Sequence, residues 1–351
     1  MTRPGAAAAA VSASAVMLAC LAGPGLGGCG SPPPRAPVAA PRPAPKPARA
    51  KQPKALPPLA PREQALETEL KGYVQQLAGK IGERNAKQMW ELASAADYLA
   101  NAFEDMGYRV ERQGYEVGEI LAMNLSVSVA GGERGDELIV VGAHYDSAEG
   151  SPGADDNASG AAAVLALARH YRNLHPSRSL RFVEFVNAEQ PYYKTDDMGS
   201  ARYAKALAAR SERVVGMLGI DNIGYYSDAP GSQHYPAALA PRYPRAGRFV
   251  AFAGQGASEL LLQRVVTTFR GRASIPAEAV ELPADMKDAN GSDTWSFRRF
   301  GFPAVAVSDT GAFRYPHYRT AQDTPDKLDY GRMARVVAGL EDVIDQLALR
   351  R

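Results

Sequence analysis

Hydrophobic and polar positions alternate in two ways along this chain. Between residues 87 and 106, Met89, Leu92, Ala96, Leu99 and Phe103 recur at spacings of three and four, which predicts a helix, and Gly107 supplies its C-cap. Glu63–Arg84 also reads as helix. Tyr108–Val117 and Met123–Val129 read as neighbouring strands; in the second, Leu125, Val127 and Val129 alternate with polar residues. Glu137–His144 is a continuous apolar run, the mark of a strand covered on both faces. Helices over Asn157–Arg172, Ser200–Ala209, Ser258–Phe269 and Tyr330–Leu349 then alternate with strands over Leu180–Asn187, Val214–Ile220, Phe249–Ala253 and Pro303–Ser308. Residues 224–247, rich in Gly, Pro and Tyr, read as a long loop. The alternation predicts an α/β fold: a mostly parallel mixed sheet with helices on both faces. No internal repeat is present.

The first 62 residues follow another rule. Met1–Gly28 carries one basic residue and an Ala/Val/Leu-rich run, and reads as a secretory signal peptide. It ends in Leu26-Gly27-Gly28-Cys29, which resembles a bacterial lipobox; the implied outcome is cleavage before Cys29 and lipid attachment to it. Gly30-Ser31 lacks the aspartate that favours inner-membrane retention, which points to the outer membrane, facing the periplasm. Residues 29–62 form a basic tether: Ser31–Arg62 holds twelve of the 26 prolines and no acidic residue. At about 3.1 Å per residue such a segment reaches roughly 100 Å. Its charge serves either contact with anionic envelope material or solvation alone. Residues 1–62 contain eight of the 40 Lys and Arg; the remaining 32 face 38 Asp and Glu, so residues 63–351, the folded domain, have a net charge of −6. An acidic domain does not suggest nucleic-acid binding. Cys20 lies in the signal, so the mature chain holds one cysteine and no disulfide.

Candidate chemistry gathers where predicted strands end. His144 and Asp146 close the apolar run, Pro152-Gly-Ala-Asp155-Asp156-Asn157-Ala-Ser-Gly160 follows, and Asp221 closes a later strand. Imidazole and carboxylates at the C-terminal ends of sheet strands suit a divalent ion such as zinc. This ordered set resembles the zinc exopeptidase family of bacterial leucyl aminopeptidase and glutaminyl cyclase (metallopeptidase family 28 type), over roughly Gln88–Leu347. The resemblance implies two zinc ions bridged by an aspartate, a glutamate pair supplying base and ligand, a further aspartate and a late histidine. It places His144, Asp155 and Asp221 as one intact zinc site, with Asp155 as the bridge and Asp146 orienting His144.

Three positions depart from that pattern. In Phe185-Val-Asn187-Ala188-Glu189-Gln190-Pro191 one register puts Ala188 at the base position and Glu189 at the ligand position; the other makes Glu189 the base and Gln190 the ligand. One carboxylate is missing either way. The late histidine is replaced by Arg319 in Pro316-His317-Tyr-Arg319-Thr320, with His317 two residues away as a possible substitute. In Ser292-Asp293-Thr294, Thr294 stands for histidine. Arg319 is expected to bridge Asp155 and Glu189 where one metal would sit. The resulting expectation is a lipid-anchored envelope protein, divergent and catalytically impaired, holding one zinc or none, and binding a peptide in its cleft. Its partners would be that peptide and the membrane, through lipidated Cys29. The alternatives are an active one-zinc exopeptidase, with Glu189 as base, and a glutaminyl cyclase-like acyltransferase.

Overall fold

The computed structural model describes residues 55–118, 120–237, 239–240, 242–281 and 292–348, and the structural statements below concern these. The expected signal peptide, Cys29 and most of the tether lie outside them. The first helix among the described residues is α1 (Pro61–Val74), and its coil widens through Gln75–Ile81.

Eight strands form one sheet in the order β1-β2-β4-β3-β5-β8-β6-β7. They are β1 (Glu111–Val117), β2 (Ile120–Val129), β3 (Arg134–His144), β4 (Arg178–Phe185), β5 (Arg213–Ile220), β6 (Val250–Gly254), β7 (Ala277–Glu281) and β8 (Ala304–Ser308). The pairs β3–β4, β3–β5, β5–β8 and β6–β7 are parallel; β1–β2, β2–β4 and β6–β8 are antiparallel. β3 lies centrally and its residues 137–144 are all buried, as the continuous apolar run requires.

Side chains of β3 alternate between two cores. Ile139 and Val141 join the larger one, with α1, α2 (Met89–Asp105), α3 (Gly160–Tyr171), α5 (Glu259–Arg272) and α7 (Tyr330–Ala348). Leu138 and Val140 join the other, with α4 (Gly199–Ala209) and α6 (Ser292–Arg299). The alanine-rich start of α3 is buried throughout, because small side chains let the helix lie close on the sheet. In α2 the expected stripe is buried except Met89, which is exposed.

β4 runs to one side of β3 and β5 to the other. Their chain order therefore reverses at the C-terminal end of β3, the place where open α/β sheets leave a crevice. Segments leaving β3, β4, β5 and β8 all converge there.

Candidate metal centre

His144 is the last residue of β3 and is buried. Its Nδ1 lies 3.1 Å from the Asp146 carbonyl oxygen and 3.3 Å from Asp146 Oδ1, which fixes the ring. Nε2 faces the crevice, 3.5 Å from Asp156 Oδ1 and 3.8 Å from Asp221 Oδ1. One ligand atom from each of His144, Asp156 and Asp221 lies within 4.8 Å of the others.

The middle member is Asp156, and this corrects the sequence assignment of Asp155. The chain does not enter α3 at Asn157 as expected. Gly153 is left-handed (φ 59°), where a Cβ would meet the Asp156 carbonyl oxygen at 2.5 Å; Asp156 (φ −107°, ψ 89°) and Asn157 (φ −137°, ψ 41°) then leave helical geometry before Gly160. That break turns Asp156 toward His144. Asp155 turns away and accepts the Gly224 N–H at 2.8 Å. Burial, with Asp309 and Asp323 nearby, pushes the Asp155 carboxyl well above the usual carboxylate range. Asp156 is also buried, yet His144 and Arg319 hold it well below the usual carboxylate range.

Neighbouring groups hold this turn in place. Asp323 accepts the N–H groups of Asp155 (2.8 Å) and Asp156 (3.2 Å). The Asn157 side chain donates to the Ile220 carbonyl and accepts the Asn222 N–H, tying the turn to the end of β5. Buried Arg84 donates to the carbonyls of Tyr145, Pro152 and Gly153, lacing the loop after β3. Burial lowers its pKa to about 10, against the pull of Asp146, Asp323 and Asp156.

The glutamate segment leaves β4. Asp146 accepts the N–H of Ala188 (3.2 Å) and of Glu189 (3.1 Å), so one carboxylate orients both His144 and this strand end. Glu189 is buried and Gln190 exposed, so Glu189 and not Gln190 faces the cluster. Ala188 packs with Met198 and Ala201. Burial and the Asp156 charge push Glu189 well up, against Arg319.

Arg319 bridges two carboxylates as expected, with Asp156 in place of Asp155. Its Nε lies 3.0 Å from Asp156 Oδ2 and its Nη2 2.7 Å from Glu189 Oε2. Its residue has φ 55° and its guanidinium sits 5.1 Å from the Tyr318 ring. His317 does not substitute: it packs edge-on to Tyr315 and stands outside the cluster. Thr294 is buried on α6, its methyl against Gly219 of β5. Its neighbour Asp293 interacts with His144 and Asp221; burial pushes Asp293 up to about 7. Of the loop tyrosines, Tyr235 and Tyr243 line a cavity beside the centre, while Tyr226 is buried.

Sequence reasoning did not single out Arg84, Asp309, Asp323 or Asp293 as supporting residues. Arg84 had no legible signal, being one arginine in a helical region. Asp323 heads an Asp-Thr-Pro-Asp run just after the Arg319 segment, which is a legible signal.

Residues 124–344 match Peptidase family M28. The chain belongs to Peptidase family M28. It is 32% identical over 291 residues to the uncharacterized protein YfbL of Escherichia coli K12, covering 81% of this chain and 88% of that one. Its fold is similar to a zinc aminopeptidase from Bacillus subtilis (TM-score 0.63, 13% identity, 81% of this chain and 95% of that one). It is also similar to the Fimbriiglobus ruber glutaminyl cyclase (TM-score 0.59, 21% identity, 85% and 99%). The folded part is thus an aminopeptidase-like domain of a metallopeptidase family.

The family implies zinc, and one position fits it. Asp156 Oδ1 is buried with no hydrogen-bond donor, and it is the oxygen nearest His144 Nε2. An imidazole and two carboxylates meet there, a donor set suited to zinc with an open fourth position. The position between Asp156 and Glu189 does not fit a second ion, because the Arg319 side chain lies between them.

Proposed function

We propose that this protein is an M28 metallopeptidase homologue reduced to one zinc site and impaired in peptide hydrolysis. Bridging of Asp156 and Glu189 by Arg319 carries this reading. A guanidinium stays protonated and cannot ligate zinc, and it forms forked pairs with carboxylates. His144, Asp156 and Asp221 would hold the remaining ion, and Asp146 orients His144 and the Glu189 backbone.

When bound, zinc supplies Lewis-acid polarisation of a substrate carbonyl. Hydrolysis also needs a proton acceptor beside that carbonyl. Ala188 offers a methyl group, and Glu189 is engaged by Arg319. Loss of a general base typically costs about 10²–10⁴-fold. An active one-zinc exopeptidase would require Glu189 to leave Arg319 and serve as base. A glutaminyl cyclase-like transferase would, by the resemblance, require the histidine that Arg319 replaces. For localisation, the lipobox ending in Cys29 and the proline-rich basic segment support a lipid-anchored envelope protein.

The test is aminoacyl-anilide hydrolysis by the wild type and by the Ala188→Glu, Thr294→His, Arg319→His triple variant. The reading expects little or no turnover in the first and a gain of at least tenfold in the second. Robust zinc-dependent turnover in the wild type, lost in Glu189→Gln, would establish the one-zinc exopeptidase instead.

A further inference from the structure

A cavity of about 330 Å³ opens beside the metal centre, with both Asp221 and Arg319 on its wall. Much of the rest is aromatic or aliphatic, including Tyr235, Leu239, Tyr243 and Phe313. This is a size and lining suited to one bulky apolar side chain. What meets the polar groups of the same ligand residue depends on which charges at the mouth are uncommitted.

A site that receives a free amine needs a carboxylate to spare. Asp156 and Glu189 are both buried and both paired to Arg319. Asp221 belongs to the metal centre. The cation that a ligand's ammonium would otherwise supply is therefore already built into the chain. Arg319 itself is 36% exposed. Asp156 and Glu189 engage Nε and Nη2, and Nη1 carries two further N–H donors with no acceptor among the described residues. Such donors on a fixed planar fork suit a carboxylate.

We infer that the cleft binds ligands with a carboxylate beside a large apolar side chain and no free amine at that residue, as at the C-terminus of a peptide or in an N-acylated amino acid. This rests on the reading that Arg319 stands in place of a second metal ion.

The test is calorimetric titration of the purified, zinc-loaded mature protein with N-acetyl-phenylalanine, Ala-Ala-Phe, Ala-Ala-Phe amide and phenylalanine amide. The two carboxylate ligands are expected to bind at least tenfold tighter than the two amides. Whichever of N-acetyl-phenylalanine and Ala-Ala-Phe binds more tightly identifies the source of the carboxylate. Arg319→Gln should abolish the preference, Arg319→Lys should keep part of it, and Phe313→Ala should weaken all four ligands alike. Circular dichroism establishes that each variant folds. The inference is overturned if phenylalanine amide binds as tightly as N-acetyl-phenylalanine, if the preference survives in a folded Arg319→Gln, or if no ligand binds at millimolar concentration. Metal analysis of the same samples separates the two failures. Two zinc ions per chain would overturn the reading on which the inference rests; one ion with no carboxylate preference would overturn the inference alone.

Discussion

Four acidic side chains, Asp146, Asp156, Glu189 and Asp221, surround one imidazole in a space largely closed to water, and charge balance decides what else can enter. Burial disfavours a charged His144, but Asp146, Asp156 and Asp221 outweigh it and raise its pKa well above the ordinary value. Arg319 supplies a fixed positive charge on the other side of Asp156. Removing it leaves two buried carboxylates facing each other. Breaking a buried pair costs about 3–5 kcal/mol, and solvent access to Arg319 reduces this to roughly 1–3 kcal/mol for Arg319→Gln in the metal-free protein. Urea denaturation in chelator measures it. Asp323→Ala takes the acceptor from two buried N–H groups, at a cost of about 1–3 kcal/mol. It should also weaken zinc binding, because it frees the turn that aims Asp156. Equilibrium dialysis reads that second effect, which a merely global loss of stability would not produce in a still-folded variant. The Asp155/Asp156 choice was not legible in the sequence. Two adjacent aspartates have the same chemistry, and only the backbone break at Asp156 and Asn157 decides which one faces His144.

At the scale of elements, strong periodicity was legible and weak patterns were not. The apolar run of β3, the stripe of α2 and the alanine-rich α3 are found close to where they were expected. β7, at the sheet edge, was not anticipated: Ala277-Glu-Ala-Val-Glu281 has one large apolar side chain and little to mark it as a strand. Nor was α6, eight residues long, whose place is set by tertiary packing of Phe297 under β3 and β5. Close approach between α5 and α7 rests on a glycine. A Cβ at Gly339 would meet Phe269 at 2.4 Å and the Ala273 Cβ at 2.7 Å. Gly339→Ala should therefore destabilise the domain by about 1–3 kcal/mol through overpacking, despite the better helix propensity of alanine. Thermal or urea unfolding checks this; a stabilised variant would show that the two helices can part at little cost.

At the scale of the molecule, the two ends of the sheet are electrostatically distinct. The metal centre occupies the C-terminal ends of the strands. Near the opposite ends, Glu137 of β3 pairs with Arg134, Arg178 and Arg213. The hydrogen bond from Arg134, opposed by burial and joined by Arg178, pulls Glu137 from 4.5 down to about 2. As pH falls, the unfolded chain takes up this proton first. The stabilisation is therefore full above about pH 4.5 and is lost as pH drops through about 2. Melting temperature should fall less steeply over that window in Glu137→Gln than in the wild type. A cluster at the opposite end from the metal centre makes this a test of the fold's electrostatics that zinc does not disturb. The anchoring proposal has its own check: labelled palmitate should enter the wild type in a diderm host and should not enter Cys29→Ala.

The central claim is that a guanidinium holds the place of one metal ion. Zinc per chain, measured by mass spectrometry on protein equilibrated with excess zinc and then freed of unbound metal, tests it most directly. The account predicts one ion in the wild type, none in Asp156→Ala, and a second recovered when Arg319→His is combined with Ala188→Glu. Two tightly held ions in the wild type, with Arg319 displaced from Asp156 and Glu189, would contradict it.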